Sequence, residues 1–332
     1  MPITLENAKN FTQSKLSKKV IDEFRQDKLL DLMVFDDNIA TVGGGSDLAY
    51  IYDRVITPGQ ADFREINKEY TPQESQTKQY TTNLKILGGS FQVDRVIQNH
   101  VKGITNQISF QLNQKIKATK QKYADAFING DSGTDSKSFD GIDKALTGSS
   151  TELVPEAAID LTETGIDTNY KKFMDYVDKF LAELDGAPDL LLMNKYLRSL
   201  FNGIARRSHY FTQSEDSFGK SVLKYNGIIL YEMTEKPGTN NPIIPINAET
   251  GETSLYAVRL GLDGVHGVTP DGKNIINTYL PDLKEPGAVK LGEVEFVTAV
   301  AMKATRSAGV LRKIKVKNIP PVEEGEEENS GV

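Results

Sequence analysis

Apolar residues recur at helical spacing over one long stretch of the chain, residues 97–128. They follow the i, i+3, i+4 recurrence of a helix with one buried face, at Ile97, Val101, Ile104, Ile108, Leu112, Ile116, Tyr123 and Phe127. The opposite face is basic and carries Lys102, Lys115, Lys117, Lys120 and Lys122. Because no proline occurs between Pro72 and Pro155, nothing interrupts the hydrogen-bond ladder. The pattern predicts one amphipathic helix, about 45 Å long, that ends at Asn129 and Gly130 with its lysines in solvent.

A second pattern, rich in Tyr, Thr, Val and Ile, predicts strands at residues 48–56 and 79–93. The stretch between them, residues 58–75, is polar and rich in turn-forming residues, and it has too little apolar surface to fold against itself. Two long strands joined by such a tip predict a hairpin that projects from the body and needs a partner to cover it. Ahead of the hairpin, residues 14–33 have the pattern of a helix, and the glycines at 43–45 break the chain.

From residue 169 the pattern alternates between helices and strands, which is typical of an α/β unit. Helices are predicted at 170–184 and 195–206, and strands at 190–193, 227–233, 254–260, 275–280, 289–303 and 310–316. With 332 residues, of which 38% are hydrophobic, the chain is long enough for two domains. Pro320 and Pro321 end the predicted fold.

The composition narrows the possible chemistry. The chain has no cysteine, which excludes disulfide bonds and thiolate metal sites, and it has no stretch with the hydrophobicity of a signal peptide or a membrane span. The net charge is −7, but the last segment holds five glutamates, Glu323, Glu324, Glu326, Glu327 and Glu328. The rest of the chain is therefore close to neutral, which neither requires nor excludes a nucleic-acid partner.

No catalytic, cofactor-binding or metal-binding motif is evident. The histidines are scattered and are expected to be structural or on the surface, at positions His100, His209 and His266. Four aspartates after the long helix have the residue type of a cation site, at Asp131, Asp135, Asp140 and Asp143. Their spacing misses the EF-hand pattern, so a turn with helix-capping aspartates is the favoured interpretation.

Two groups of basic residues have two possible interpretations. The lysine face of the long helix is either ordinary solvated surface or a contact for nucleic acid. The same alternatives apply to a smaller cluster of Arg206, Arg207 and His209.

Five segments in a fixed order carry a family resemblance. They are LKILGGSFQVDRVIQ at 84–98, YADAFINGDSGTDSKSFDGI at 123–142, LLMNKYLRSLF at 191–201, LKYNGIILYEM at 223–233 and LGEVEFVTAVAMKATRSAGVLRKIKV at 291–316. In order and spacing they resemble the major capsid protein family of tailed bacteriophages. The likeness spans nearly the whole chain and implies the HK97-like capsid fold, which encapsulin compartments share.

The resemblance implies an α+β architecture with distinct parts. An N-terminal arm would occupy residues 1–38, and an extended hairpin loop residues 39–94. A peripheral domain with a long spine helix would combine 95–149 with 286–318, and an α/β axial domain would occupy 150–285. A disordered acidic tail would follow at 319–332.

The resemblance also implies a structural function. The chain would assemble with itself into the pentamers and hexamers of an icosahedral phage head around double-stranded DNA, which it would meet by non-specific electrostatics. A scaffolding protein and a portal are expected partners, and no membrane, cofactor or enzymatic activity is expected. Assembly would occur in the host cytoplasm, and the protein would reside in the virion.

Two alternative functions stay open, an encapsulin-like nanocompartment shell and a soluble enzyme built on residues 150–316. Some members of the resembled family also join their subunits through lysine–asparagine isopeptide bonds. Lys68 and Lys78 lie near the hairpin tip, but no such bond is predicted.

Overall fold

The architecture is given by a computed structural model, which describes residues 28–37, 48–57, 59–96, 107–208, 212–215, 221–270, 276–284 and 286–319. In these ranges the helices are α1 (Leu29–Leu32), α2 (Gln107–Asn129), α3 (Ile142–Leu146), α4 (Ile166–Ala182) and α5 (Lys195–Ser208). The strands are β1 (Phe35–Asp37), β2 (Ala49–Thr57), β3 (Gln76–Asn83), β4 (Lys85–Asp94), β5 (Glu152–Leu153), β6 (Ile159–Asp160), β7 (Leu190–Met193), β8 (Thr212–Glu215), β9 (Ser221–Tyr225), β10 (Ile228–Glu232), β11 (Glu252–Val258), β12 (Val265–Thr269), β13 (Asn277–Tyr279), β14 (Val289–Met302) and β15 (Ala308–Lys315).

The first sheet has the strand order β1-β12-β14-β13, and β4 also pairs with β14. Its longest ladder joins β4 to β14 antiparallel over ten residue pairs. Strand β1 adds to β12 in parallel, so the segment before the hairpin is part of the sheet. Helix α2 packs against β4 and β14, where the rings of Phe35, Tyr123 and Phe296 meet. The sheet and the long helix thus form two packed layers.

The second sheet has eight strands, in the order β5-β15-β11-β7-β10-β9-β8, with β6 also pairing with β15. Strands β7 and β10 are parallel, while β11 is antiparallel to β7 and β15. Helices α4 and α5 cover one face, where Phe173, Phe180 and Phe201 are fully buried. On the other face, Leu190 and Leu192 belong to the same core as the end of α2. One continuous core therefore joins the second sheet to the first.

Strands β2 and β3 form a separate two-stranded ribbon. The predicted hairpin is therefore confirmed, and residues 59–75 at its tip contain a turn but no strand or helix. The single strand predicted over 79–93 is wrong, because at Leu84 the chain changes its pairing partner from β2 to β14. Leu84 is 4% exposed and its N–H donates to the carbonyl of Leu48 at 2.7 Å, so the change of partner takes place in the core.

Helix α2 ends at Asn129 as predicted, and residues 97–106, with Lys102, lie outside the described ranges. The predicted single buried stripe is wrong at the C-terminal end, where every residue from 123 to 128 is buried. The reason is that this end lies in the core between the two sheets and is enclosed on all sides. Further back, Ile108 and Leu112 are only half-buried.

The predicted solvated basic face of α2 is wrong for at least one lysine. Lys120 Nζ lies 2.7 Å from Oδ1 of Asp31 in α1, and the Lys120 side chain is only 16% exposed. Lys122 remains exposed but pairs with Asp125 at 3.0 Å. The sequence pattern could not predict the first pair, because its aspartate comes from a distant part of the chain.

The remaining predictions have mixed outcomes. The helices and strands predicted within 170–316 are confirmed with ends shifted by a few residues, but the sequence pattern does not predict β8, β9 or the buried strand β12. Of the helix predicted at 14–33, only the last part is described, as α1. The rest of that helix, the glycines at 43–45 and the acidic segment beyond residue 319 lie outside the described ranges.

Candidate functional site

The base of the hairpin is anchored to the first sheet by Arg54 and two tyrosines. The guanidinium of Arg54 lies 4.3 Å from the centre of the Tyr80 ring, which stacks on Tyr52 with centroids 5.9 Å apart. Arg54 also donates to the carbonyl of Met302 at the end of β14 and, at 3.5 Å, to Oγ1 of Thr305. A cation held by both an aromatic ring and a carbonyl oxygen restrains the strand that carries it. The hairpin therefore leaves the body in a defined direction.

A second anchor joins the hairpin base to β1. The hydroxyl of Tyr50 donates to Oδ2 of Asp36 at 2.6 Å, and Lys303 Nζ lies 3.5 Å from the same oxygen. Burial and the neighbouring Asp36 carboxylate raise the pKa of Tyr50, so the phenol remains a donor. Burial acts to raise the pKa of Asp36, but the Tyr50 hydroxyl and the charge of Lys303 lower that pKa overall. The ionised carboxylate thus connects three separate chain segments.

Beyond these anchors the hairpin presents large apolar side chains to solvent. Val55 and Ile56, at the end of β2, are both more than half exposed. In the tip, Phe63 and Ile66 are 107% and 89% exposed, and Tyr70 is also exposed. Several large apolar groups on one short projection are unusual for a surface that faces only water, and they indicate a contact surface.

The interactions recorded within the tip are local. The guanidinium of Arg64 lies 5.4 Å from the centre of the Tyr70 ring, and Lys68 Nζ lies 2.5 Å from a carboxylate oxygen of Glu65. Lys78, on β3, lies with its Nζ 5.5 Å from the centre of the Tyr80 ring. These contacts give Lys68 and Lys78 ordinary surface roles, and the absence of an isopeptide bond stays a prediction.

A second apolar surface lies on the outer face of the first sheet. Side chains along β14 alternate between buried and exposed, because one face of the strand packs on α2 and the other faces out. Exposed apolar residues on this outer face include Ile86 of β4, Leu291 of β14 and Tyr279 of β13. Glu293 lies in the same row as Tyr279, opposite it in the ladder. The face is therefore apolar, with the acidic side chain of Glu293 among its exposed residues.

Two of the four aspartates after α2, Asp131 and Asp140, lie in a turn held by Lys144. Asp131 Oδ1 accepts from the N–H of Gly133 at 2.9 Å, and Lys144 Nζ lies 2.5 Å from Asp131 and 2.8 Å from Asp140. The hydrogen bond from Lys144 lowers the pKa of Asp131 to about 2. The predicted turn is confirmed, and no group of three His, Cys, Asp or Glu side chains within the described ranges is arranged to hold a metal ion.

The predicted helix-capping role of these aspartates is wrong, because the residue at the start of α3 is Gly141 and has no side-chain cap. Asp143 instead accepts from the Tyr256 hydroxyl and from Arg312, both at 2.8 Å. Arg312 also pairs with Glu152 of β5, so the cluster joins α3 to the second sheet. Sequence reasoning missed this cluster, since Arg312 alternates with apolar residues along β15 as an ordinary exposed position would.

The basic cluster predicted at the end of α5 is only partly described. Arg207 Nε lies 2.8 Å from Asp167 Oδ1, so its charge is paired. His209 and His100 lie outside the described ranges. His266 lies in β12 and is fully buried, which agrees with the structural role expected of it. Within the described helices, none combines the length and apolarity required to span a lipid bilayer.

Comparison with known proteins links this architecture to shell-forming proteins. A model of the SU10 major capsid protein family matches residues 45–228, and no curated protein matches the sequence. The SrpI encapsulin complex of Synechococcus elongatus PCC 7942 is similar in fold, with a TM-score of 0.62, 15% identity, and coverage of 96% of this chain and 99% of that chain.

Two solved capsids are also similar. The capsid of the native GTA particle gives a TM-score of 0.57 at 12% identity, with 91% of this chain and 96% of that chain covered. The capsid of Myoviridae phage XM1 gives 0.54 at 11% identity, with 95% and 99% covered. These structures establish the HK97-like fold, and the family match covers more than half of the chain. The chain therefore belongs to the SU10 major capsid protein family and is a component of a virion capsid shell.

Proposed function

We propose that this capsid protein forms the pentamers and hexamers of an icosahedral phage head around double-stranded DNA, and that its hairpin tip clasps a neighbouring copy. The observation that supports the clasp is the exposure of Phe63, Ile66 and Tyr70 at the end of a ribbon whose base is fixed by Arg54 and Tyr50. A rigid base with an apolar end suits a contact between subunits rather than a contact within one.

The reach of the ribbon supports a contact with another copy. Nine residues of β2 at about 3.3 Å each extend roughly 30 Å. Over the last part of that length, from Val55 outward, the side chains face solvent. Complete removal of a large apolar side chain from water contributes about 1.5–3 kcal/mol to the free energy of association. Three such residues would therefore contribute substantially to each contact between subunits.

The outer face of the first sheet is the receiving surface that we favour on the neighbouring copy. It offers Ile86, Leu291 and Tyr279 for apolar contact. Both surfaces are exposed in the single chain.

The division of the chain that we propose is the one implied by the family resemblance. Residues 1–38 serve as the arm, 39–94 as the hairpin loop, 95–149 and 286–318 as the peripheral domain, and 150–285 as the axial domain, with an acidic tail at 319–332. Two helix-covered sheets support two units, with exchanges at their boundaries: β12 and β13, within 150–285, pair into the first sheet, and β15, within 286–318, pairs into the second. Their shared core would make each subunit a rigid tile.

The role is structural rather than catalytic, and the remaining partners are a scaffolding protein, a portal and packaged DNA. Contact with DNA would depend on counterion release and fall steeply with salt, without reading bases. Because Lys120 and Lys122 are already paired with aspartates, α2 would contribute less to this contact than its composition indicates. Assembly would take place in the host cytoplasm.

The clasp is tested with a double variant of the full chain, Phe63→Ser with Ile66→Ser. We expect a soluble subunit with an unchanged melting temperature that forms no shells by negative-stain microscopy and sedimentation. The matched control replaces two body residues that are also exposed, Val154→Ser with Leu262→Ser, and should assemble as the unmodified chain does. Normal shells from the tip variant would contradict the clasp.

An encapsulin-like compartment is the second candidate, since the SrpI encapsulin complex is similar in fold with a TM-score of 0.62. Particles purified from infected or expressing cells distinguish the two. Nuclease-protected double-stranded DNA supports the phage head, whereas uniform shells that enclose one enzyme support the compartment. The soluble enzyme built on 150–316 has no supporting observation.

A further inference from the structure

His266 occupies an unusual position for a titratable residue. It lies in β12, between β1 and β14 in the first sheet, and is 0% exposed. Neither of its ring nitrogens has a hydrogen-bond partner of normal geometry among the described residues. A buried polar group with no partner costs about 1–3 kcal/mol, and the nearby carbonyls of Gly261 and Gly264 offset only part of that cost, so an apolar residue would serve packing alone better. This cost suggests that His266 does more than fill space.

The ring of His266 supports the residue that anchors the hairpin. It meets the Tyr50 ring edge to face, with centroids 5.7 Å apart and an interplanar angle of 79°. Tyr50 in turn donates to Asp36 of β1, and Lys303 Nζ lies 5.4 Å from the centre of the Tyr50 ring. His266 thus lies behind the junction of the hairpin base with β1 and the end of β14.

The charges around His266 disfavour its protonated form. Burial lowers the pKa of His266 most, and the positive charge of Lys303 lowers it further. Asp36 and the carbonyl groups of Gly261 and Gly264 act in the opposite direction but do not outweigh these effects. In the turn before β12, Arg259 and Asp263 pair with each other at 3.0 Å. At neutral pH the ring is therefore uncharged.

We propose that neutral His266 is a positioning residue for the hairpin, acting through Tyr50, and that protonation of His266 releases the hairpin base from the body. A cation introduced beside Lys303 in a dry site is unfavourable unless it gains contact with water, and the ring that packs directly against His266 is that of Tyr50 in β2. Displacing Tyr50 would therefore hydrate the cation and move β2 with it. Released hairpins would point in many directions and could not clasp neighbours together. This last consequence rests on the proposed function, whereas the release itself does not.

The sign of the effect follows from the depressed pKa. A group whose pKa is lower in the anchored state than in the released state stabilises the anchored state above its ordinary pKa, about 6.5 for histidine. This stabilisation is lost as the pH falls below that value. The ratio of released to anchored hairpin should rise by up to about tenfold per pH unit below 6.5.

The release is measured on the full chain with two spin labels. The chain has no cysteine, so Val55→Cys on the hairpin and Ser150→Cys on the body, both exposed, can be labelled selectively. We expect a narrow distribution of label distances at pH 7.5 that broadens at pH 5.5. In a chain that also carries His266→Phe, which keeps the aromatic edge but cannot be protonated, the distribution should stay narrow at both pH values.

A second measurement keeps the inference testable if His266→Phe does not fold. The ring proton signals of the three histidines can be followed by NMR in the unmodified chain, and we expect His266 to titrate below 6.5. A titration at or above 6.5, a distance distribution that ignores pH, or equal broadening with His266→Phe would each overturn the inference. Normal shells from the Phe63→Ser, Ile66→Ser variant would instead contradict the proposed clasp. That result would not affect the inference about pH and the hairpin base.

Discussion

The last turns of α2 and the tip of the hairpin use apolar residues in opposite ways. At the end of α2, Tyr123, Phe127 and Ile128 are completely buried between the two sheets. At the tip, Phe63 and Ile66 are almost completely exposed. The side chains are chemically alike, so the difference lies in whether the subunit itself supplies their surroundings. One region stabilises the subunit, and the other, in the function that we propose, is covered only by a neighbouring copy in the shell.

The comparison predicts different costs for the same substitution. Phe127→Ala should lower the free energy of unfolding by about 3–5 kcal/mol, because it leaves a cavity in the core that joins the sheets. Phe63→Ala should change it by no more than about 0.5 kcal/mol, because the ring touches little in the subunit. Urea unfolding of both variants measures the contrast. A costly Phe63→Ala would mean that the tip folds onto its own body.

A second prediction concerns how β1 is held beside the hairpin base. A Cβ atom on Gly267 would lie 2.1 Å from the Phe35 ring, so Gly267→Ala should displace β1 and cost about 1–3 kcal/mol. Limited proteolysis near residue 35, followed by mass spectrometry, should show faster cleavage. Gly59→Ala in the hairpin tip, where nothing lies within 4 Å of the added carbon, should leave cleavage near residue 35 unchanged.

A third prediction tests the half-buried ion cluster of Arg312, Asp143 and Glu152. Burial acts to raise the pKa of Glu152, but the N–H of Gly148 and the Arg312 guanidinium lower it overall from its ordinary 4.5. The stabilisation from Glu152 is therefore present above about 4.5 and is lost as the pH falls below that value. Arg312→Met should cost about 1–2 kcal/mol at pH 7 and flatten the loss of stability between pH 5 and 3.

Unfolding midpoints of Arg312→Met and of the unmodified chain across that pH range provide the test. Lys313→Met, which alters the next residue but none of the cluster's ion pairs, is the matched control. Parallel pH curves for Arg312→Met and the unmodified chain would show that the cluster adds no pH-dependent stability.

The smallest effect is expected at the exposed turn after α2. Lys144→Met should raise the pKa of Asp131 from about 2 toward its ordinary 3.8, because the turn loses its only lysine contact among the interactions described. Carboxyl carbon NMR measures this shift, and stability should change less than in the other variants. Lys137→Met, in the same loop, should leave the pKa where it is.

Local patterns predicted most elements correctly, and three of the failures share one cause. The hairpin, the end of α2 and four strands of the second sheet, β7, β10, β11 and β15, follow from spacing over a few residues. The other four strands of that sheet were not predicted, namely β5, β6, β8 and β9. The break at Leu84, the pairing of Lys120 with Asp31 and the ion cluster of Arg312 all depend on residues far apart in sequence. The sequence pattern also failed to predict the buried strand β12, because a short segment that contains a histidine and a glycine resembles a turn.

By itself the sequence determined the type of most elements, the exclusion of cysteine chemistry and the expectation of a hairpin that needs a neighbour. The tertiary structure alone decided which apolar residues remain exposed, which charges are paired and where the buried histidine lies. The physical reason is that periodicity reports which side of an element is apolar. Burial and pairing depend on which residues pack against that side, and these can be distant in sequence. Lys120 and Asp31, for example, are 89 residues apart.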